Sequence, residues 1–300
     1  MIGLVDGDIV VFRCGFAAER TAWNLHIPAQ DYTGIFEYKR EAMDELDKRL
    51  PGKFSRVEYE DYQLFPEKQL EPLSHALQNV RTLMNRIAES CQLNEFDMQV
   101  CLSSSKNFRH EIAKTRPYKG NRKKEHRPTY EKKIRDYLKE NYDCYTGENE
   151  EADDLMGIKA TAAGPEDSII ITLDKDLDQV PGLKYNWVHD VGYNVTPEQA
   201  CYNFHLQLLM GDTTDNIPGL PGIGAGKAAK ALHGLETEQE QMEEVCRMYQ
   251  IHSGKKDWKE YLTEQGRLLW IRREPDQLWT PNIEEVADEW DGVELTLELS

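Results

Sequence analysis

The chain has 300 residues, 39% of them hydrophobic and 30% charged, with a formal net charge of −18 at pH 7. That is the make-up of a soluble globular protein able to bury one substantial core and a second, smaller one, and no apolar run approaches the roughly 20 residues that span a bilayer. No signal-peptide pattern opens the chain, and the six cysteines are scattered without a C-x-x-C pair, which excludes a disulfide scaffold or a zinc site and fits a reducing cytoplasm.

The first element is the apolar run Ile2 to Val5, which ends in Asp6-Gly7-Asp8 and is followed by a second apolar run. Continuous apolar stretches bounded by turns predict strands buried on both faces, as in a parallel sheet. The run therefore reads as a strand with a carboxylate at its carboxyl end. The stretch from Ala22 to Pro72 is mixed in charge, and its pattern assigns it no function. LSHALQNVRTLMNRIAES reads as a helix, and MQVCLSSS as a second strand ending in Ser103 to Ser105.

From Lys106 to Glu140, thirteen Lys and Arg stand against five Asp and Glu, a local balance of 13 − 5 = +8 in an acidic chain. Within it, RPYKGNRKKEHRP sets Tyr118 among Arg116, Lys119, Arg122, Lys123 and Lys124. Such a block is commonly a solvated face. Basic side chains also attract phosphate, and an interleaved ring can stack on a base, so this block is a candidate nucleic-acid surface.

GENEEADDLMG follows, with Glu148, Glu150, Glu151, Asp153 and Asp154 inside seven residues at the start of a predicted helix, EEADDLMGIKATAA. Acids in a first helical turn complement the dipole, but like charges crowded together disfavour one another's ionisation. Glu151 and Asp154 share a face at i,i+3, with Asp153 beside them. DSIIITLDKDLDQVP is a third strand, with Asp174-Lys175-Asp176 directly after it, and LKYNWVH is a fourth. Strands alternating with helices define an α/β fold, mostly parallel and doubly wound, and such sheets bind ligands beyond the carboxyl ends of their strands. Asp6, Asp174 and Asp176 all fall at that edge. The pattern suggests a two-metal phosphoryl-transfer site, in which carboxylates hold hard cations roughly 4 Å apart.

The last constellation is LLMGDTTDNIPGLPGIGAGKAAKAL, with Asp212 and Asp215 ahead of a Gly/Pro-rich turn and a helix rich in Ala and Lys. A nucleotide-binding P-loop would need glycine at Pro221 and a hydroxyl at Ala228, and Lys227 breaks the G-x-G-x-x-G alternative. What remains is a hairpin between helices. Its backbone at Gly222, Gly224 and Gly226 can approach a phosphate, and Lys227 and Lys230 add positive charge.

Six ordered motifs from Ile2 to about Leu232 (LVDGD, YKGNR, EADD, TLDKDLDQV, MGDTTDN and IPGLPGIGAGKA) resemble the flap endonuclease and 5′→3′ exonuclease family, most of all its short bacteriophage members. The resemblance implies a PIN-like α/β nuclease domain over residues 1–190 with a helical arch at about 106–140 and an extra segment at about 22–72. It also implies a helical region over 191–300 with a helix-hairpin-helix-type element at about 205–235. Asp6, Glu151 and Asp153 match the family's first metal group, with Asp154 beside them as a catalytic candidate. Asp174, Asp176, Asp212 and Asp215 match the second. Lys119 and Arg122 match arch residues that reach the scissile phosphate, and Arg116 and Tyr118 are further DNA-contact candidates.

The implied cofactors are two Mg²⁺ or Mn²⁺ ions, with K⁺ at the hairpin. The implied partner is duplex DNA with a 5′ end or flap, or an RNA–DNA hybrid, bound by a cytoplasmic monomer during replication. One position departs from the family: an aspartate is usual at the end of the second core strand, and by spacing to Arg109 the residue here is Ser104. Two alternatives stay open, a PIN-type ribonuclease and a catalytically weak DNA-structure-binding protein.

Overall fold

The computed structural model describes residues 1–51, 61–122 and 127–281. The chain divides into two compact units, one formed by Met1–Ile9, Arg86–Glu125 and Leu138–Ser300, the other by Val10–Asn85 and His126–Tyr137.

The first unit is built on a six-stranded sheet. Its strands are β1 (Ile2–Asp6), β5 (Met98–Leu102), β6 (Asp143–Thr146), β7 (Ser168–Ile171), β8 (Gly182–Asn186) and β9 (Val191–Val195), in the spatial order β6-β5-β1-β7-β8-β9. All neighbours pair in parallel except β8 and β9. The central strands are apolar throughout because both faces are covered: Leu4, Val5, Val100, Leu102 and Ile171 are fully buried. Parallel pairing has a direct consequence for the site. It brings Asp6, Ser103, Glu148 to Asp154, and Asp174 to one edge of the sheet, since each follows or ends a strand running the same way.

The helix α6 (Ala152–Ala163) leaves that edge and packs Ala152, Met156 and Ala160 on Leu4, Cys101 and Ile170. The helices α7 (Pro197–Met210), α8 (Ala225–Ala231), α9 (Glu238–His252) and α10 (Trp258–Leu269) also belong to this unit. They enclose a second core of Phe204, Leu208, Val245, Tyr249, Leu262 and their neighbours. Thr196 and Thr237 start α7 and α9 with capping boxes to Gln199 and Glu240. The boundary expected at residue 190 falls inside this unit, and the sheet continues past it through β9.

The second unit contains the extra segment. The strands β2 (Glu19–Ile27), β3 (Tyr32–Phe36) and β4 (Gln63–Leu70) make an antiparallel sheet in the order β3-β2-β4, with α2 (Lys39–Arg49) between β3 and β4. Leu25, Ile27 and Leu46 form its small core, lined by Tyr32, Phe36 and Leu64. Three helices, α1 (Gly7–Ala17), α3 (Leu73–Cys91) and α5 (Glu131–Asn141), contribute residues to both units. The apolar run after Asp8 forms helix α1. The expected arch includes α4 (Arg109–Ile112) and α5; Lys123 and Lys124 lie outside the described residues. Among the described residues no helix is long and apolar enough to cross a membrane.

Candidate active site

Asp6 closes β1 at the centre of the sheet and is 3% exposed. Its carboxylate accepts from Ile9 N at 3.1 Å and from Thr172 Oγ1 at 2.9 Å. Burial, with Asp8 and Asp174 nearby, pushes its carboxyl up to about 7. Asp174 begins the 3-10 turn Lys175–Gln179 and accepts from Asp176 N at 2.9 Å. Burial raises Asp174, with Asp215 and Asp212 adding repulsion. Asp176, which accepts from Gln207 Nε2 of α7, is pushed up to about 7 by burial and by Asp174. Asp153, in the first turn of α6, is driven well above the usual carboxylate range by burial and then by Asp6, Asp174 and Glu151. Four carboxyls from three chain segments therefore resist ionisation because each is buried beside the others.

Asp212 and Asp215 sit on a loop pinched shut by a two-way bridge, Asp212 N to Ile217 O at 2.8 Å and Ile217 N to Asp212 O at 2.7 Å. The loop exists because Gly211 and Gly219 cross back to back with φ of +71° and +58°. A Cβ on Gly211 would lie 2.3 Å from Ile217 O, so no larger residue fits. Asp212 and Asp215 both act on Asp174 and Asp176, which joins this loop to the sheet edge electrostatically.

The YKGNR turn lies on that loop. Lys119 N donates to Asp215 O at 2.9 Å, Asn121 Nδ2 to Thr213 O at 2.7 Å, and Asn216 Nδ2 to Pro117 O at 2.8 Å. Lys119 Nζ pairs with Glu151 and lies 3.5 Å from Asp215, while Arg122 pairs with Asp215. Burial pushes Glu151 up, but Lys119 and Arg109 outweigh it and hold that carboxyl below its usual range. Among the described residues no three His, Cys, Asp or Glu side chains already surround a common point at ligand distance. Glu151 and Asp215 are instead shared with the chain's own cations.

Three expectations are revised by this geometry. Tyr118 is 4% exposed, and its hydroxyl lies 2.7 Å from both Glu151 Oε2 and Asp215 Oδ2, so the ring links the two acid groups and is not open for a base to stack on. Asp154 is fully buried and takes a two-pronged ion pair from Arg109, at 2.6 and 2.8 Å, so it is engaged within the fold. Ser104 Oγ donates to Glu148 O at 2.8 Å, an internal loop contact. Its neighbour Ser103 is the one at the acid edge: its N donates to Asp8 and its Oγ accepts from Ala152 N at 2.9 Å, capping α6. Sequence reading missed Arg109, Thr172, Gln207 and Ser103 as site supports. Arg109 had one local signal, a cation directly after Phe108 in an otherwise exposed basic block.

At the hairpin, Gly222 has φ +74°, and Cβ atoms placed on Gly222, Gly224 or Gly226 would meet nothing within 4 Å. The backbone is open there, and Lys227 and Lys230 on α8 are exposed, as is Arg116.

A mostly parallel α/β sheet thus carries acids beyond its strand ends, with a lysine and an arginine set against them. No family model matches the chain. In sequence it is similar to DNA polymerase I of Bacillus caldotenax, 34% identical over 154 residues covering 43% of this chain and 17% of the polymerase. It is similar also to the exonuclease of Escherichia phage T7, 30% identical over 131 residues covering 42% of this chain and 43% of the exonuclease. The chain thus spans less than half the length of these relatives. Its fold is shared with the T5 D15 protein co-crystallised with metal ions, at TM-score 0.55, 16% identity, and 89% and 88% coverage of the two chains. T5 5′-exonuclease bound to zinc matches at TM-score 0.52, 16% identity, and 89% and 86% coverage. The likeness read from the motifs is met in sequence by the polymerase and exonuclease relatives, and the T5 chains share the fold.

Proposed function

We propose that this protein is a metal-dependent 5′ nuclease that hydrolyses phosphodiester bonds at the 5′ ends or 5′ flaps of duplex DNA. The observation that carries the reading is the gathering of Asp6, Glu151, Asp153, Asp174, Asp176, Asp212 and Asp215 at one sheet edge, with Lys119 and Arg122 paired to Glu151 and Asp215. Buried carboxyls that repel one another fit hard divalent cations, which take oxygen donors and supply the missing positive charge. Asp6, Glu151 and Asp153 would hold one ion, and Asp174, Asp176, Asp212 and Asp215 the other. Mg²⁺ or Mn²⁺ bound there would supply hydroxide from water and offset the charge that develops on the phosphate.

The chain's own residues do the rest. Lys119 and Arg122, set directly against Glu151 and Asp215, would stabilise the charge on the phosphate. Tyr118 holds Glu151 and Asp215 in register, and Thr172 and Gln207 orient Asp6 and Asp176. The open backbone at Gly222 to Gly226, with Lys227 and Lys230, grips duplex backbone without reading bases, so recognition is of structure rather than sequence. Monomeric action in the cytoplasm during replication, removal of RNA primers and K⁺ at the hairpin belong to the same reading.

The test is incubation of a 5′-labelled duplex and a 5′-flap substrate with Mg²⁺ and with EDTA. Cleavage that needs Mg²⁺ and leaves a 5′-phosphate is expected. Cleavage of single-stranded RNA alone, or binding without cleavage, overturns the proposal.

A further inference from the structure

Arg109 is 3% exposed, and every donor group of its guanidinium is engaged. Nη1 and Nη2 donate to Asp154, Nε donates to Leu268 O at 2.9 Å, and Nη2 donates also to Trp270 O at 2.8 Å. Asp154, in turn, accepts from Glu151 N at 3.2 Å and from Arg272 N at 3.2 Å. One buried ion pair therefore fixes the first turn of α6 on one side and the end of α10 on the other. The strand of chain after α10 comes close enough for this only because α6 carries Gly157, whose Cβ would lie 2.4 Å from Arg272 O. At its other turns, α10 holds the base of the hairpin: Tyr261 OH donates to Gly219 O at 2.6 Å, and Gln265 Oε1 accepts from Gly219 N at 3.2 Å.

We infer that Arg109 is the positioning residue of the acid cluster: through Asp154 it sets the backbone that aims Glu151 and Asp153, and through Leu268 and Trp270 it ties that backbone to the helix supporting the duplex-gripping hairpin. This rests on the nuclease reading above. Arginine is required for the geometry, because a planar fork satisfies two carboxylate oxygens and two carbonyls at once and an ammonium does not. Arg109 touches no proposed reacting atom; its hydrogen bonds go to Asp154 and to two carbonyls, while its Nη1 lies 3.7 Å from Glu151 Oε2.

A purely structural role predicts that restoring stability restores function, and this separates the two views. Replacing a buried ion pair by apolar residues of similar volume commonly leaves a protein folded, whereas removing one partner does not. The experiment uses the full chain in three forms: wild type, Arg109→Lys, and the double variant Arg109→Met/Asp154→Leu. Metal binding is read by a terbium titration followed by sensitised luminescence, duplex binding by a titration in EDTA, and turnover by kcat and KM on a flap substrate.

In the folded double variant we expect the terbium midpoint to rise roughly 10- to 100-fold, kcat to fall with it, and duplex affinity in EDTA to stay near that of wild type. Arg109→Lys should show the same split. A stably folded double variant that binds terbium like wild type overturns the proposal alone. A wild-type chain that binds no terbium and cuts no substrate overturns the nuclease reading and the proposal with it.

Discussion

Asp153 and Asp154 are consecutive in sequence and meet opposite electrostatic surroundings. Asp154 faces the end of α10, is fully buried, and is neutralised by the fork of Arg109 and by two backbone N–H groups. Asp153 faces the sheet edge, where burial combines with Asp6, Asp174 and Glu151 and its carboxyl is held far above the usual range. One region of the molecule supplies a full set of partners for a buried charge, and the other gathers like charges. The first is the signature of structure, the second that of a site for an external cation, because only an unmet electrostatic demand leaves something for a ligand to satisfy.

The largest effect should come from removing a charge on the crowded side. Asp153→Asn is expected to lower kcat on a flap substrate by about 10²- to 10³-fold, the range lost with a single transition-state charge stabiliser. It should leave the metal-free protein as stable as wild type or more so, since one repulsion is gone. Stopped-time cleavage assays and unfolding in EDTA measure both. Retention of near wild-type turnover would break the comparison at its functional end.

On the compensated side the outcome should reverse in kind. Asp154→Asn removes the two-pronged partner of the buried Arg109 guanidinium and leaves it only the longer pair with Glu151 at 3.7 Å, a loss that costs up to about 3–5 kcal/mol. Urea unfolding in EDTA reads this directly. Equal stability of the Asp153 and Asp154 variants would erase the distinction drawn between the two faces.

Lysines at the two ends of the proposed DNA path should separate chemistry from grip. Lys119→Ala, which removes the cation set against Glu151 and Asp215, is expected to lower turnover with little change in duplex affinity. Lys227→Ala, on the exposed face of α8, should weaken duplex binding and reduce the slope of log affinity against log salt by about 1. Salt-dependent binding and single-turnover rates on both variants test the assignment; matching profiles for the two would merge the roles.

The smallest effect comes from a buried group in the helical core. His205 of α7 is 1% exposed, and burial pushes its imidazole below the usual range while Nδ1 meets Gln241 Oε1 at 2.9 Å. A histidine held neutral in the fold binds its proton more readily when unfolded. Its stabilising contribution is therefore complete above the unfolded value of about 6.5 and is lost as pH falls below it. Thermal unfolding between about pH 7.5 and about pH 5.5, roughly one unit either side of that value, should show a shallower loss in His205→Gln than in wild type. An unchanged slope would show that burial there does not govern protonation.

The sequence by itself determined four strands of the main sheet, their parallel sense and the acids that follow two of them. Apolar runs such as Ile2 to Val5 and Ser168 to Ile171 are local signals, and a parallel sheet sends every strand's carboxyl end to one edge. Only the tertiary structure decided which acid would be met by a cation. Arg109 reaches Asp154 across 45 residues, and neither residue's neighbours in sequence state that pairing. The same holds for Tyr118, whose place in a basic block suggested an exposed stacking ring until Glu151 and Asp215 closed over its hydroxyl. It holds also for Ser103, which caps α6 from β5, and for the segment after Ala22, whose sheet forms by pairing β2 with β4 from about Glu19 to Leu70. Hydrophobic period is written into neighbouring residues, whereas the compensation of a buried charge depends on groups that the chain brings together only once it has folded.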